Sequence, residues 1–229
     1  MAVIEPLAAP KLLDEVIRQR RSTRHFSNRR VDQGLVEKIF QTAQWSPSVG
    51  NMQPWRSFVV SGASCDRVRQ ALLTAANNTG QFPPSKPALQ KPGSQYVERD
   101  RALKKQLFST VAAGKTSQQS QDILMDHNFQ LYGAPHCAFV FLEQGFNERT
   151  SIDLGMYAQN LMLQMEASGI ASCVQAEVCV YADLIKQQLN INEPLTLMFA
   201  ISFGYQQSSD INQLKRSRAP LFETTTFYN

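Results

Sequence analysis

The four cysteines, Cys65, Cys137, Cys173 and Cys179, form no CxxC pair, and none of the three histidines, His25, His127 and His136, stands at metal-ligand spacing from them. Neither a zinc site nor a disulfide framework is expected, and unpaired thiols fit a reducing compartment. No window approaches the roughly 18 apolar residues of a membrane span. The opening stretch MAVIEPLAAPKLLDEVIRQR lacks the charged start and continuous apolar core of a signal peptide, so a cytoplasmic protein with no membrane partner is expected. Self-contained catalytic signatures are missing as well: there is no GxGxxG, no P-loop, no HExxH and no GxSxG elbow. With no histidine beside an obvious Ser or Cys nucleophile, hydrolysis and acyl transfer have little to rest on, and the absences argue for a borrowed cofactor.

What the chain has is enough apolar material for a sizeable core: 43% of its 229 residues are hydrophobic and 18% are charged. The net charge of +4 comes from 23 Lys and Arg against 19 Asp and Glu, and the basic residues gather in two stretches, 18–30 and 215–218. Such clusters call for an anion. They are short and not interleaved with aromatics along one face, so a nucleic-acid partner is not expected.

Apolar residues recur at helical spacing through Leu12, Leu13, Val16 and Ile17, and again through Leu35, Val36, Ile39, Phe40 and Ala43. The second helix should stop near Ser46 and Pro47, because the residue before proline is pushed out of the α region. WRSFVVS (55–61) reads as a strand and 66–76 as a helix. Pro83, Pro84, Pro87 and Pro92 rule out regular structure over 79–94, and polar helices follow over 97–113 and 118–128. Residues 79–128 therefore read as one insertion over the core, either a lid or a plain surface excursion. HCAFVFLE (136–143) is a buried strand and 152–168 a long helix buried on most sides. Residues 171–175 form a short strand, 181–189 a helix and 195–205 an apolar strand covered on both faces. The stretch 206–229 has no helical period and should run extended. The sum is a single α+β domain over 1–229, a sandwich around one central sheet.

Arg20, Arg21, Ser22, Thr23 and Arg24 put three guanidiniums and two hydroxyls within five residues, a set suited to a phosphate monoester. A solvated helix end gives the same pattern. Lys215, Arg216, Ser217 and Arg218 repeat the ambiguity on the tail, although two basic patches flanking an apolar fold can converge on one anion. SPSVGNMQPW (46–55) joins a helix to a strand with two carboxamides, Asn51 and Gln53, as a ring-binding loop or a tight turn would. Trp45 and Trp55 read as core, while residues 82–96, including Phe82 and Tyr96, are better placed to select an acceptor.

These pieces in this order resemble the nitroreductase family: RRSTRHF, SPSVGNMQPW, NFQLYGAP, DLGMYAQNLMLQMEASGI, and GYQQ followed by KRSR. The resemblance spans nearly the whole chain, and the Pro-rich insertion resembles the variable cap of the nitrobenzoate-reductase-like branch. It implies a three-layer sandwich with a mostly antiparallel central sheet, a helical cap over 79–128 and an extended C-terminal arm over 206–229. It also implies a homodimer with FMN at the interface, NAD(P)H as co-substrate, and a small acceptor such as a nitroaromatic, quinone or activated alkene, reduced by ping-pong hydride transfer through flavin N5. By the same resemblance Arg20, Arg21, Ser22, Arg216 and Arg218 fall on the phosphate site and Arg24 at the pyrimidine edge. Pro47, Ser48, Asn51 and Gln53 fall on the ring loop, partly from the second subunit, with Asn128 on the ring edge. Val174, Gln175 and Ala176 fall on the segment approaching N5, where several relatives carry Glu-Gly. A flavin-consuming or dehalogenating relative, or a non-catalytic FMN module, would use the same scaffold.

Overall fold

Successive side chains of a strand face opposite ways, so a wholly apolar strand can join two cores. The computed structural model describes residues 13–78, 95–146 and 148–228. In it β2 (His136–Glu143) sends Ala138, Val140 and Leu142 into one core and Cys137, Phe139 and Phe141 into another. The first core is closed by α2 (Gln33–Ala43) and α6 (Glu148–Ala167) through Val36, Ile39, Leu154, Leu161 and Met165. The second is closed by α3 (Ala63–Asn78), α5 (Ser117–Phe129) and α7 (Ala182–Gln188) through Val68, Leu72, Phe129 and Ile185. Between them β1 (Trp55–Ser61), β2, β4 (Leu195–Gly204) and β3 (Ala171–Gln175) lie in the order β1-β2-β4-β3, each pairing antiparallel. The result is the expected three-layer α+β sandwich. A bulge between Val140 and Phe141 places Val140 opposite Phe199 but Phe141 opposite Leu197. The extra residue, Met198, reverses the alternation of β4, so Leu197 and Ala200 both reach the second core.

The four strands match the sequence reading to within one residue, whereas several helices begin earlier. Helix α3 starts at Ala63, where the Ser64 hydroxyl accepts from Ser61 N (3.0 Å), and α6 starts at Glu148. The stretch 79–128, expected as an insertion, holds α4 (Gln95–Val111) together with α5, and its Pro-rich part with Phe82 lies outside the described residues. The segment 177–181 is a 3-10 turn leading into α7. The tail is not extended throughout: α8 (Asp210–Gln213) and a 3-10 turn at Leu221–Glu223 interrupt it. Tertiary hydrogen bonds of Asn212, described below, hold α8 where local periodicity gives no helix.

The two tryptophans separate. Trp55 is 6% exposed, stacks on Tyr157 (centroids 4.7 Å, planes 4° apart) and donates to Gln44 Oε1 at 2.9 Å. Trp45 is 89% exposed, against the expectation that it fills core. In that turn the inward positions are Ala43 and Ser46, 1% and 4% exposed, with Ser46 N bonded to Ala43 O at 3.1 Å, and Trp45 between them is left outside.

Candidate functional site

The site begins where α1 (Leu13–Gln19) ends, with Arg20 N still bonded to Val16 O at 3.0 Å. Residues 22–27 are then clamped on both sides. Ser22 forms a parallel bridge with Ser172 and Thr23 N donates to Ser172 O (3.0 Å), tying one end to β3. Phe26 bridges Gln206, Ser27 N donates to Tyr205 O (2.9 Å), and Gln207 N donates to His25 O (3.0 Å), tying the other end to the chain leaving β4. Asn212, only 1% exposed, completes the clamp. Its Oδ1 accepts from Arg24 N (2.8 Å) while its Nδ2 donates to His25 O (2.8 Å) and Gln207 O (2.9 Å). Basic segments from opposite ends of the chain are thereby fixed side by side.

They border one cavity of about 720 Å³, lined by Arg18, Arg20, Arg21 and Ser22 from the first segment and Lys215, Arg216 and Arg218 from the tail. Glu166, Gly169, Ile170 and Ala171 supply a further part of its wall. Gly169, at φ +73°, ends α6 with Ile170 N bonded to Met165 O (2.8 Å), which turns the chain into β3 beside the arginines. Arg20 Nε and Arg216 Nη2 are buried and have no hydrogen-bond partner among the described residues. Burial pulls the Arg216 pKa down, and the charge of Arg24 and, less strongly, those of Arg218 and Arg20 add to the effect against an opposing contribution from Cys173. Buried donors without acceptors and like charges held together are both costly, and one bound anion relieves both.

Behind this cavity runs a polar chain. The Arg24 guanidinium lies 5.9 Å from the Tyr132 ring centroid and donates to Ser22 O at 3.3 Å. Tyr132 OH accepts from Asn128 Nδ2 (2.9 Å), and Gln175 Nε2 donates to Asn128 O (2.7 Å) and Oδ1 (3.1 Å). Ser202 donates in turn to Gln175 Oε1. Burial raises the Tyr132 hydroxyl pKa, and burial likewise raises that of the Cys173 thiol, against the nearby charges of Arg24 and Arg216. Of the segment expected at N5, Gln175 is therefore turned inward, whereas Val174 (40% exposed) and Ala176 face out.

The loop carrying Pro47, Ser48, Asn51 and Gln53 is fixed differently. Gln53 N donates to Ser48 Oγ (2.9 Å), Gln53 Nε2 to Asn51 O (3.1 Å), and Val49 N to the buried Asp153 at 3.2 Å. Gly50, Asn51 and Gln53 all take positive φ (58°, 56° and 48°), a strained arrangement for the two non-glycine residues. None of these loop residues lines the arginine cavity. Within one chain the structure joins Arg20, Arg21, Ser22, Arg216 and Arg218 at one cavity and links Arg24, Asn128 and Gln175 behind it, while the loop stands apart. Sequence reasoning missed Asn212 and Tyr132. Tyr132 lies inside NFQLYGAP and could have been found there, but Asn212 sits in a featureless polar run.

Comparison with known proteins agrees with this architecture. The chain is 36% identical over 221 residues to nitroreductase NfnB of Mycolicibacterium smegmatis, covering 93% of this chain and 92% of the relative. It is 25% identical to a 4-nitrobenzoate reductase of Pseudomonas putida, covering 90% of each. A crystal structure of the FMN-dependent nitroreductase NfnB from Mycobacterium smegmatis, in complex with NADPH, superposes with a TM-score of 0.85 at 34% identity, covering 94% of this chain and 97% of that one. The model of the Nitroreductase family matches residues 17–205, which hold both the clamped arginine segment and the whole central sheet, and the chain belongs to that family.

Proposed function

We propose that this chain is an FMN-dependent NAD(P)H oxidoreductase that reduces nitroaromatics, quinones or activated alkenes, and that it works as a cytoplasmic homodimer. The observation that carries the reading is the pair of buried, unpartnered guanidinium nitrogens, Arg20 Nε and Arg216 Nη2, in residues that line one cavity. A phosphate monoester brings a charge of about −1.5 to −2 and three acceptor oxygens, which such donors match. Arg20, Arg21, Ser22, Arg216 and Arg218 hold that phosphate, and Arg24 and Asn128 serve the ring edge. The NfnB relative is described as FMN-dependent and in complex with NADPH, which supports the choice of both cofactors.

Bound FMN supplies two-electron hydride exchange between the nicotinamide and the acceptor. The chain's own part is to bind, orient and balance charge. Arg24 brings a fixed positive charge to the ring edge, where reduction accumulates negative charge, and a preorganised charge of this kind costs no rearrangement during reaction. Val174 and Ala176, facing outward, border the N5 side.

The loop of Pro47, Ser48, Asn51 and Gln53 reaches the ring of the second copy, which accounts for its distance from the cavity of its own chain. The whole chain acts as one domain, with 79–128 as a cap and 206–229 as an arm. The free thiols at Cys65, Cys137 and Cys173 fit a reducing cytoplasm, and among the described residues no helix is long and apolar enough to cross a membrane.

The test is spectroscopic. Protein incubated with FMN and gel-filtered should stay yellow, bleach within a turnover time on anaerobic NADPH, and recover its colour on adding a nitrobenzoate or a quinone. A colourless product refutes the reading, and a yellow one that no nicotinamide bleaches leaves only a binding module.

A further inference from the structure

A second cationic cavity adjoins the first. It occupies about 390 Å³ between α4 and the C-terminal arm, and Arg216 and Arg218 border both. Its α4 wall is Arg99, Leu103 and Gln106, three residues spaced four and three apart and hence on one helix face. Its other wall is the arm, with Pro220 and Glu223. Arg99 is positioned from two sides: Nη2 pairs with Glu223 Oε2 at 2.5 Å, and the guanidinium lies 5.7 Å from the Tyr96 ring centroid. Arg216 and Arg218 line both cavities, so the guanidiniums run continuously from the inner cavity to Arg99 and its partner Glu223. Leu103 and Pro220 add an apolar surface, and Gln106 offers both a donor and an acceptor.

An NADPH-using flavoprotein must hold two phosphate monoesters, that of FMN and the 2′-phosphate of the coenzyme, and the molecule has two adjoining basic cavities. The inner one, with the buried unpartnered nitrogens, is assigned above to FMN. We propose that the seam between α4 and the arm binds the adenosine 2′-phosphate end of NADPH, and that Arg99 sets the preference for NADPH over NADH. Arg99 takes the 2′-phosphate, with Arg218, which borders both cavities, shared between it and the FMN phosphate; Leu103 and Pro220 face the purine, and Gln106 reaches its polar edge. NADH offers only a neutral hydroxyl at that position and forgoes the charge-assisted contact with Arg99. Glu223 holds Arg99 by one edge of its guanidinium, so that the other edge is presented in a fixed direction.

This inference rests on the oxidoreductase reading, and the experiment separates the two. FMN-loaded protein, its inner site filled, is titrated calorimetrically with 2′-AMP and with adenosine. The expected result is binding of 2′-AMP, at least about tenfold weaker binding of adenosine, and loss of 2′-AMP binding in Arg99→Ala, as removal of one charge-assisted contact implies. Glu223→Gln, which keeps a hydrogen-bonding partner for Arg99 but removes the competing charge, should bind 2′-AMP at least as tightly as the parent. In steady state the NADPH:NADH ratio of kcat/KM should fall about tenfold or more in Arg99→Ala. A ratio unchanged in Arg99→Ala, or equal loss of 2′-AMP binding in both variants, makes the Arg99–Glu223 pair a mere structural latch and overturns the proposal. Loaded protein that neither coenzyme reduces brings down the oxidoreductase reading, and this inference with it.

Discussion

Arg216 is half-buried among Arg20, Arg24 and Arg218, and its lowered pKa records both the burial and the repulsion. A group placed so poorly for the empty protein is placed for something that binds. Replacing Arg216 with Ala should therefore have opposite effects on two measurements. FMN binding should weaken by about 1.5–3 kcal/mol, the usual size of a charged hydrogen bond, while riboflavin, which lacks the phosphate, binds as before. The FMN-free protein should melt no lower than the parent, because a like charge has left the cluster. Weakened riboflavin binding of equal size would mean that Arg216 supports the fold and not the phosphate. His136 shows the converse, a polar group satisfied within the fold. Its Nε2 accepts from Val31 N (2.9 Å), its Nδ1 meets Ser61 Oγ (2.6 Å), and its ring stacks on Phe203. Burial, helped by the Arg30 charge, lowers its pKa, so the unfolded chain takes up a proton that the folded chain resists. Stability is then lost as pH falls through the ordinary imidazole range near about 6.5. Melting at about pH 7.5 and about pH 5 should show that loss in the parent and a smaller one in His136→Gln, whose amide can accept from Val31 without titrating; equal losses would assign the acid sensitivity elsewhere.

At the scale of elements, two glycines that look alike in the sequence have different reasons to be there. Gly169, at φ +73°, has open space where a Cβ would point, so only its left-handed backbone matters. Gly204 closes β4 opposite Ala171, and a Cβ there would lie 2.8 Å from Pro135 Cδ and 3.0 Å from Cγ. A proline ring cannot swing aside as a long side chain does. Gly169→Ala should cost about 1 kcal/mol and Gly204→Ala about 1–3 kcal/mol, read from urea unfolding midpoints. The order reverses only if Pro135 and Phe26 can shift together. The same contrast between local and tertiary causes decides what the sequence revealed. Strands were legible because β1, β2 and β4 are apolar runs bounded by turn residues. The starts of α3 and α6 were not, since the first turn of α6 is polar and that of α3 offers only the small Ala63 and Cys65 to a hydrophobic period. Helix α8 was invisible because its order comes from Asn212 gripping His25 O and Gln207 O, nearly two hundred residues apart in sequence. The arginine clusters stood out as charge, but the link from Arg24 through Tyr132 to Asn128 depends on left-handed backbone at Leu131 and Tyr132 (φ 52° and 54°), which nothing in their side chains announces.

On the scale of the whole molecule, seven of the large exposed apolar side chains, among them the three most exposed, fall in two regions, the arm and the surroundings of the ring loop. The arm exposes Leu221 (63%), Phe222 (81%), Phe227 (73%) and Tyr228 (93%), and the region around the ring loop exposes Trp45 (89%), Val49 (57%) and Met52 (49%). Contiguous exposure of this kind marks a surface that another protein covers, and for a single gene product the commonest cover is a second copy related by a two-fold axis. Burying each large apolar side chain contributes about 1.5–3 kcal/mol, so the arm alone can decide the association. On the proposed reading the site is completed in that dimer, because Pro47, Ser48, Asn51 and Gln53 do not line the arginine cavity of their own chain. Association and cofactor affinity are then linked, and each must strengthen the other. Removing residues 221–229 should give a species of single-chain mass by analytical ultracentrifugation, with FMN binding weakened in parallel, while Glu223→Gln in the intact chain stays dimeric and so excludes loss of the Arg99 pair as the cause. Dilution of the intact protein should weaken FMN binding over the same concentration range in which the dimer dissociates. A truncated monomer that keeps full affinity for FMN would show that one chain holds the cofactor by itself, and the shared cleft would have to be abandoned even if the arginine cradle survived.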